Sequence, residues 1–221
     1  MKPERDFVRT PSQTAGPFFH LGCTETRSHG RIAPLEAKGE RVRLVCTVRD
    51  GDGRLVDDAM IEIWQANAEG KYRHPEDTQA KAIDPHFFGF GRLATDETGT
   101  CVFETIKPGQ VQVKDEDEDK DNDKHNDDSD RNKDNDQDNE KRRPPQAPHL
   151  NISVFARGLL RRLPTRAYFA GEPANQQDPV LALVPVERRE TLMARPDPAR
   201  RGEWHFEIRL SGEGETVFFD L

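Results

Sequence analysis

This 221-residue chain has few cysteines and few of the polar aromatics: three cysteines, two tyrosines and two tryptophans. Cys23, Cys46 and Cys101 are odd in number and show no CxxC spacing, which argues against a disulfide framework or a cysteine zinc site and for a reducing compartment. No apolar run approaches the roughly eighteen residues of a membrane helix. The opening MKPERDFVRTPSQTAG has no apolar leader core. A cytoplasmic protein with no membrane segment is expected. The net charge is −8 and no basic face is interleaved with aromatics, so nucleic acid is not an expected partner. The GxSxG elbow, a GxGxxG following a strand, the P-loop and HExxH are all missing, and with them four common catalytic chemistries.

The apolar fraction, 33%, is also low, and the cause is local. Residues 114–143 contain no apolar side chain; they hold fourteen acidic and eight basic ones, so six of the eight net negative charges sit there. Such a stretch cannot bury enough surface to offset its ordering entropy, and a disordered acidic loop is expected. Its spacing does not suit calcium: the run from Asp115 has Lys120 where an EF-hand needs glycine and Asn126 where it needs the bidentate glutamate. Lengthening a loop from about four to about thirty residues costs only roughly 2 kcal/mol of closure entropy, which a fold tolerates. The remaining residues suffice for one domain with a real core.

Period-two alternation runs through that remainder. In WHFEIRL, Trp204, Phe206, Ile208 and Leu210 take one face and His205, Glu207 and Arg209 the other, the pattern of a half-buried strand. The same reading covers Val42 to Val48, Ile61 and Ile63, residues 101–106, Ile152 to Ala156, residues 167–170 and ETVFF at 215–219. Turn signals separate them: DGDG at 50–53, DETG at 96–99 and KPG at 107–109. Helix is expected only over VERRETLMA, residues 186–194, after Pro185. Periodicity therefore gives a mostly-β single domain.

The most informative segment is IEIWQANAEGKYRH, residues 61–74, in which a strand carrying Ile61 and Ile63 delivers Tyr72 and His74 beyond a glycine turn. A phenol arriving that way can ligate a hard metal. A tyrosine at a strand end and a histidine at a strand start are also commonly just hydrogen-bonded edge groups. The order Trp64, Gln65, Ala66, Asn67, Gly70, Tyr72 resembles the intradiol ring-cleaving dioxygenases. TPSQTAGPFFHLG at 10–22, HLNISVFARG at 149–158, DPVLALVPVERRETLMA at 178–194 and GEGETVFFD at 212–220 extend the resemblance to nearly the whole chain outside the acidic stretch. It implies a two-sheet β-sandwich, non-haem ferric iron held by two tyrosines and two histidines, and insertion of both atoms of dioxygen between the hydroxyl-bearing carbons of a catechol.

Against that pattern the ligand set is short. Tyr72 and His149 match, but Val111 in TIKPGQV stands where the family has its second tyrosine, and Asn151 where it has its second histidine. The resemblance thus implies the iron-free subunit of a heteromeric member. Fe(III) is then expected in a β-type partner subunit that keeps all four ligands, with none in this chain. Tyr72, Val111, His149 and Asn151 are vestigial positions on this reading. Carried over by motif, Thr14, Gly16, Pro17 and Arg157 are expected to line the substrate pocket shared with that partner, Arg157 offering a forked cation to an aromatic carboxylate. Phe155 and Arg157 are read as sharing the strand face that points away from the core. A higher oligomer of such pairs is implied. The competing readings are a non-catalytic β-sandwich binding or scaffold module derived from the same family, and a self-sufficient dioxygenase with a replacement ligand near Val111.

Overall fold

Alternation along RVRLVCTVR buries Val42, Leu44, Cys46 and Val48 and turns Arg41 and Arg43 outward, making strand β1 (Arg41–Arg49). The computed structural model describes residues 11–14, 22–24, 30–112 and 144–220. Gly16, Pro17 and the acidic stretch 114–143, expected as a disordered loop, lie outside the described residues.

β1 pairs antiparallel with β4 (Thr100–Ile106) and parallel with β8 (Glu203–Arg209), so that Leu44 stands beside Phe103 and Trp204, and Cys46 beside Cys101 and Phe206. The other half is built on β2 (Met60–Trp64), flanked by β3 (Phe90–Ala94) and β5 (His149–Phe155). β6 (Leu163–Phe169) continues it antiparallel to β5. The short β7 (Met193–Pro196) joins the halves, parallel to β6 on one side and antiparallel to β8 on the other. The order is β3-β2-β5-β6-β7-β8-β1-β4, a nearly closed, mostly-β sandwich. Its interior unites Leu44, Val48, Phe103, Phe206 and Ile208 with Ile61, Ile63, Leu150, Ile152, Val154 and Phe169. Several of these side chains are wholly excluded from water, at roughly 1.5–3 kcal/mol of transfer free energy each.

Three sequence expectations need correction. Residues 186–194 are not one helix: a 3-10 turn covers Val186–Leu192, and Met193 already belongs to β7. Pro185 sets the extended entry, and only Leu192 of the turn is buried, too narrow an apolar face to support an α-helix. ETVFF forms no strand, although Thr216 N–H donates to the Arg209 carbonyl (2.9 Å) and Phe219 N–H to that of Pro164 (2.8 Å). Finally β5 ends at Phe155, so Arg157 lies in the turn beyond the strand rather than on its face.

Two layers matter for the site. Leu150, Ile152 and Val154 of β5 face the core, which puts His149, Asn151, Ser153 and Phe155 on the opposite side. A second small cluster, Ala147, Tyr168, Leu181, Val184 and Leu192, packs the 3-10 turns between residues 173 and 192 over one end of that outer face. His149 is buried there.

Candidate functional site

The WQAN motif is a corner, held by the side chains of Gln65 and Asn67. Gln65, wholly buried, donates to the Ile106 carbonyl (3.0 Å) and accepts from Thr105 Oγ1 (2.6 Å), tying the end of β2 to the end of β4. The Asn67 side-chain oxygen accepts from the main-chain N–H groups of Glu69 (2.9 Å) and Lys71 (3.0 Å), and its carbonyl accepts from Gly109 N–H (2.9 Å). Gly70 takes φ +79° with its Cα against the Gln110 carbonyl, where any Cβ would collide. The corner brings Tyr72 and Val111 to the same place. Val111 is fixed there by an antiparallel bridge to Gln146, at 3.1 and 2.8 Å.

The structure unites Tyr72, Val111, His149 and Asn151 around one end of β5. His149 Nδ1 lies 2.7 Å from the Ala147 carbonyl, which can only accept, so Nδ1 carries the proton and Nε2 presents a lone pair in the neutral ring. Burial first, and the Arg166 guanidinium second, push its pKa down to about 4. Tyr72 Oη stands 3.4 Å from that Nε2 and accepts from Asn151 Nδ2 at 2.8 Å, while the same amide reaches the Trp64 carbonyl at 3.3 Å. Burial raises the phenol pKa above its ordinary value. The Tyr72 ring runs nearly parallel to Trp64, 9° between planes with centroids 6.1 Å apart. Over it lies an open cavity of about 440 Å³, lined also by His74, Asp77, Gln79 and Gln112.

Arg166 is the residue that sequence reasoning missed. It pairs with Asn151 across the β5–β6 ladder, as Tyr168 pairs with His149. Its guanidinium donates to Gln146 Oε1 (2.9 Å) and to Tyr168 Oη (3.4 Å). Tyr168 Oη in turn donates to Asp178 (3.1 Å), a fully buried carboxylate that also accepts from the main-chain N–H groups of Ala147, Val180 and Leu181. Nothing in the sequence marks this arginine among 33 basic residues; only strand register places its charge beside the histidine.

These residues do not fit a ferric ion. Iron(III) is a hard acid that favours anionic oxygen donors, whereas Tyr72 is the one phenol of the four positions, Asn151 is a neutral amide that turns its N–H toward Tyr72, and the Val111 side chain has no lone pair. The Arg166 guanidinium already supplies a positive charge whose field reaches both Tyr72 and His149. The one cluster of three metal-type side chains among the described residues, Asp197, Glu203 and His205, lies at the start of β8 and is met by Arg43, Arg200 and main-chain N–H groups.

The second set of expected residues lies elsewhere. Thr14 and Arg157 lie near one another at the opposite end of β5, about 20 Å of strand away from His149. There Gly158 N–H donates to Thr14 Oγ1 (3.0 Å) and Arg157 forms an ion pair with Asp58. Arg157 is about two-thirds exposed. Of the four pocket-lining expectations these two are described, and the structure brings them together.

With this geometry in place, comparison with known proteins defines the class. Residues 14–212 match the family described as Dioxygenase. The chain belongs to the intradiol ring-cleaving dioxygenases. In particular it is similar to the protocatechuate 3,4-dioxygenase alpha chains of Pseudomonas putida, 39% identical over 96% of both chains, and of Burkholderia cepacia, 38% identical over 96% of this chain and 98% of that one. The beta chain of the Burkholderia cepacia enzyme is 31% identical over 82% of this chain and 68% of its own length. Among solved structures, 3-chlorocatechol 1,2-dioxygenase from Rhodococcus opacus 1CP shares the fold, with a TM-score of 0.59 at 20% identity over 90% of this chain and 71% of that one. Members of the family depend on iron in general. Among the described residues, no helix is long and apolar enough to cross a membrane.

Proposed function

We propose that this chain is the iron-free, alpha-type subunit of a protocatechuate 3,4-dioxygenase. A beta chain of similar fold would hold Fe(III) with two tyrosines and two histidines. Together they would cleave 3,4-dihydroxybenzoate with dioxygen to 3-carboxy-cis,cis-muconate, a step of the β-ketoadipate route of aromatic catabolism in the cytoplasm. The carrying observation is the donor set: Val111 and Asn151 stand with Tyr72 and His149 around one end of β5, so that two of the four positions offer no anionic oxygen or imidazole, and the Arg166 guanidinium lies beside them. A site so built is poorly suited to iron, and the chain is similar to an alpha chain along 96% of its length. The chain's contribution then lies at the boundary with its partner. Thr14, Gly16 and Pro17 would bring a short hydroxyl and close backbone to the substrate, and Arg157 would meet its carboxylate with a charge-assisted hydrogen bond. Several such pairs would assemble into the working oligomer. A scaffold without an enzymatic role is the weaker reading, since likeness to the alpha chains spans the sequence.

The test is to purify the chain alone and with its candidate beta partner, then measure iron and oxygen uptake on protocatechuate. The isolated chain should be colourless, iron-free and inactive, and the complex should hold one iron per pair and turn over. Stoichiometric iron with a tyrosinate charge-transfer band in the isolated chain would overturn the proposal.

A further inference from the structure

We infer that Asp58 is a positioning residue for Arg157, holding its guanidinium in the orientation that receives the substrate's carboxylate; this rests on the reading that Arg157 contacts substrate. The placement follows from strand register. β2 and β5 run antiparallel with Met60 opposite Phe155, and the ladder continued two residues further sets Asp58 opposite Arg157. Neither residue is in a strand, so register alone does not hold them. Three restraints do. Leu159 N–H donates to the Ala156 carbonyl (3.3 Å), closing a turn whose third residue, Gly158, takes φ +83°; Arg157 occupies the corner before it. Gly158 N–H is in turn engaged by Thr14 Oγ1 at 3.0 Å, which pins the outer side of the turn to the N-terminal segment. The third restraint is the Asp58 carboxylate, which engages Arg157 through Nε, with the Asp58 side chain only 18% exposed and that of Arg157 64% exposed.

The choice of nitrogen matters. A guanidinium anchored at Nε keeps both terminal amino groups, four N–H donors in a fixed plane, for an incoming carboxylate. Among the described residues Asp58 is the one ion-pair partner of Arg157. An arginine otherwise surrenders considerable rotamer freedom when it binds a ligand, and a side chain already held loses less. Asp58 also subtracts a charge from the pocket mouth. The two effects have opposite signs, so an experiment can tell them apart: positioning predicts that loss of Asp58 weakens substrate capture, whereas simple charge damping predicts that it strengthens it.

The measurement is steady-state kinetics of the reconstituted two-chain enzyme with protocatechuate and with catechol, which lacks the carboxylate. Asp58→Asn should raise KM for protocatechuate about three- to tenfold, leave kcat within about twofold and leave catechol unaffected. In an Arg157→Ala background the same substitution should add nothing. Should Asp58→Asn fail to assemble, Asp58→Glu, which keeps the charge and displaces it by a methylene, should still raise KM for protocatechuate alone. A KM that is unchanged or lower in the Asp58 variants, while Arg157→Ala raises it, overturns the positioning role and leaves the Arg157 contact standing. An Arg157→Ala enzyme with unchanged kinetics overturns both.

Discussion

The hydroxyl of Tyr72 lies 3.4 Å from Nε2 of His149 and donates to it, so two side chains with the chemistry of metal ligands are instead each other's partners. The same oxygen accepts from Asn151. A metal could enter only by displacing this pair of bonds and by tolerating Arg166.

That arrangement makes stability sensitive to mild acid. His149 is buried with a folded-state pKa near 4, below the ordinary value of 6.5. The unfolded chain therefore binds a proton more readily than the folded one between those values. Stability contributed by the neutral ring is complete above about pH 6.5 and falls as pH drops toward 4, by roughly 3 kcal/mol in all. Urea unfolding at pH 7 and pH 4.5 should show a larger loss for the native chain than for His149→Gln.

Tyr72→Phe removes the oxygen that links His149 to Asn151. Asn151 keeps the Trp64 carbonyl, but Nε2 of His149 loses its donor. A loss of about 1 kcal/mol is expected, read as a lower urea midpoint at constant slope. No change at all would show that the 3.4 Å contact contributes nothing.

Restoring the ligands should not restore the metal. Val111→Tyr with Asn151→His gives two phenols and two imidazoles, yet leaves the Arg166 guanidinium beside them. This double variant should take up iron(III) poorly, and adding Arg166→Gln should raise its affinity at least about tenfold, since a nearby like charge opposes a trivalent cation. The visible tyrosinate-to-iron band, titrated with ferric citrate, reports the difference.

Gly70→Ala tests the corner. The position has φ +79° and no room for a Cβ against the Gln110 carbonyl. A loss of about 2 kcal/mol or more is expected from strain and displacement together. Thermal unfolding of the variant measures it.

Much of this architecture was legible in the sequence because alternation reports burial directly. β1, β4, β5 and β8 each show it, and the family motifs supplied the rest of the frame. β3 was not legible, since FGRLA places Gly91 where a core side chain would stand and leaves Phe90 partly exposed. β7 begins within a segment that reads as helix, and its four residues are held by pairing with β6 on one side and β8 on the other. The absence of Val111 and Asn151 from the donor set could be read residue by residue. Arg166 could not, because its importance comes from standing across a ladder from Asn151. The same holds for Asp58, an unremarkable turn aspartate until register sets it opposite Arg157.

The main-chain pairing of Val111 with Gln146 has a practical consequence. It works as a clasp that fastens the segment after β4 to the segment before β5. A reporter domain, an affinity handle or a much shorter link could be exchanged at this port, giving engineers an attachment point about a strand's length from the end of β5 that carries Arg157.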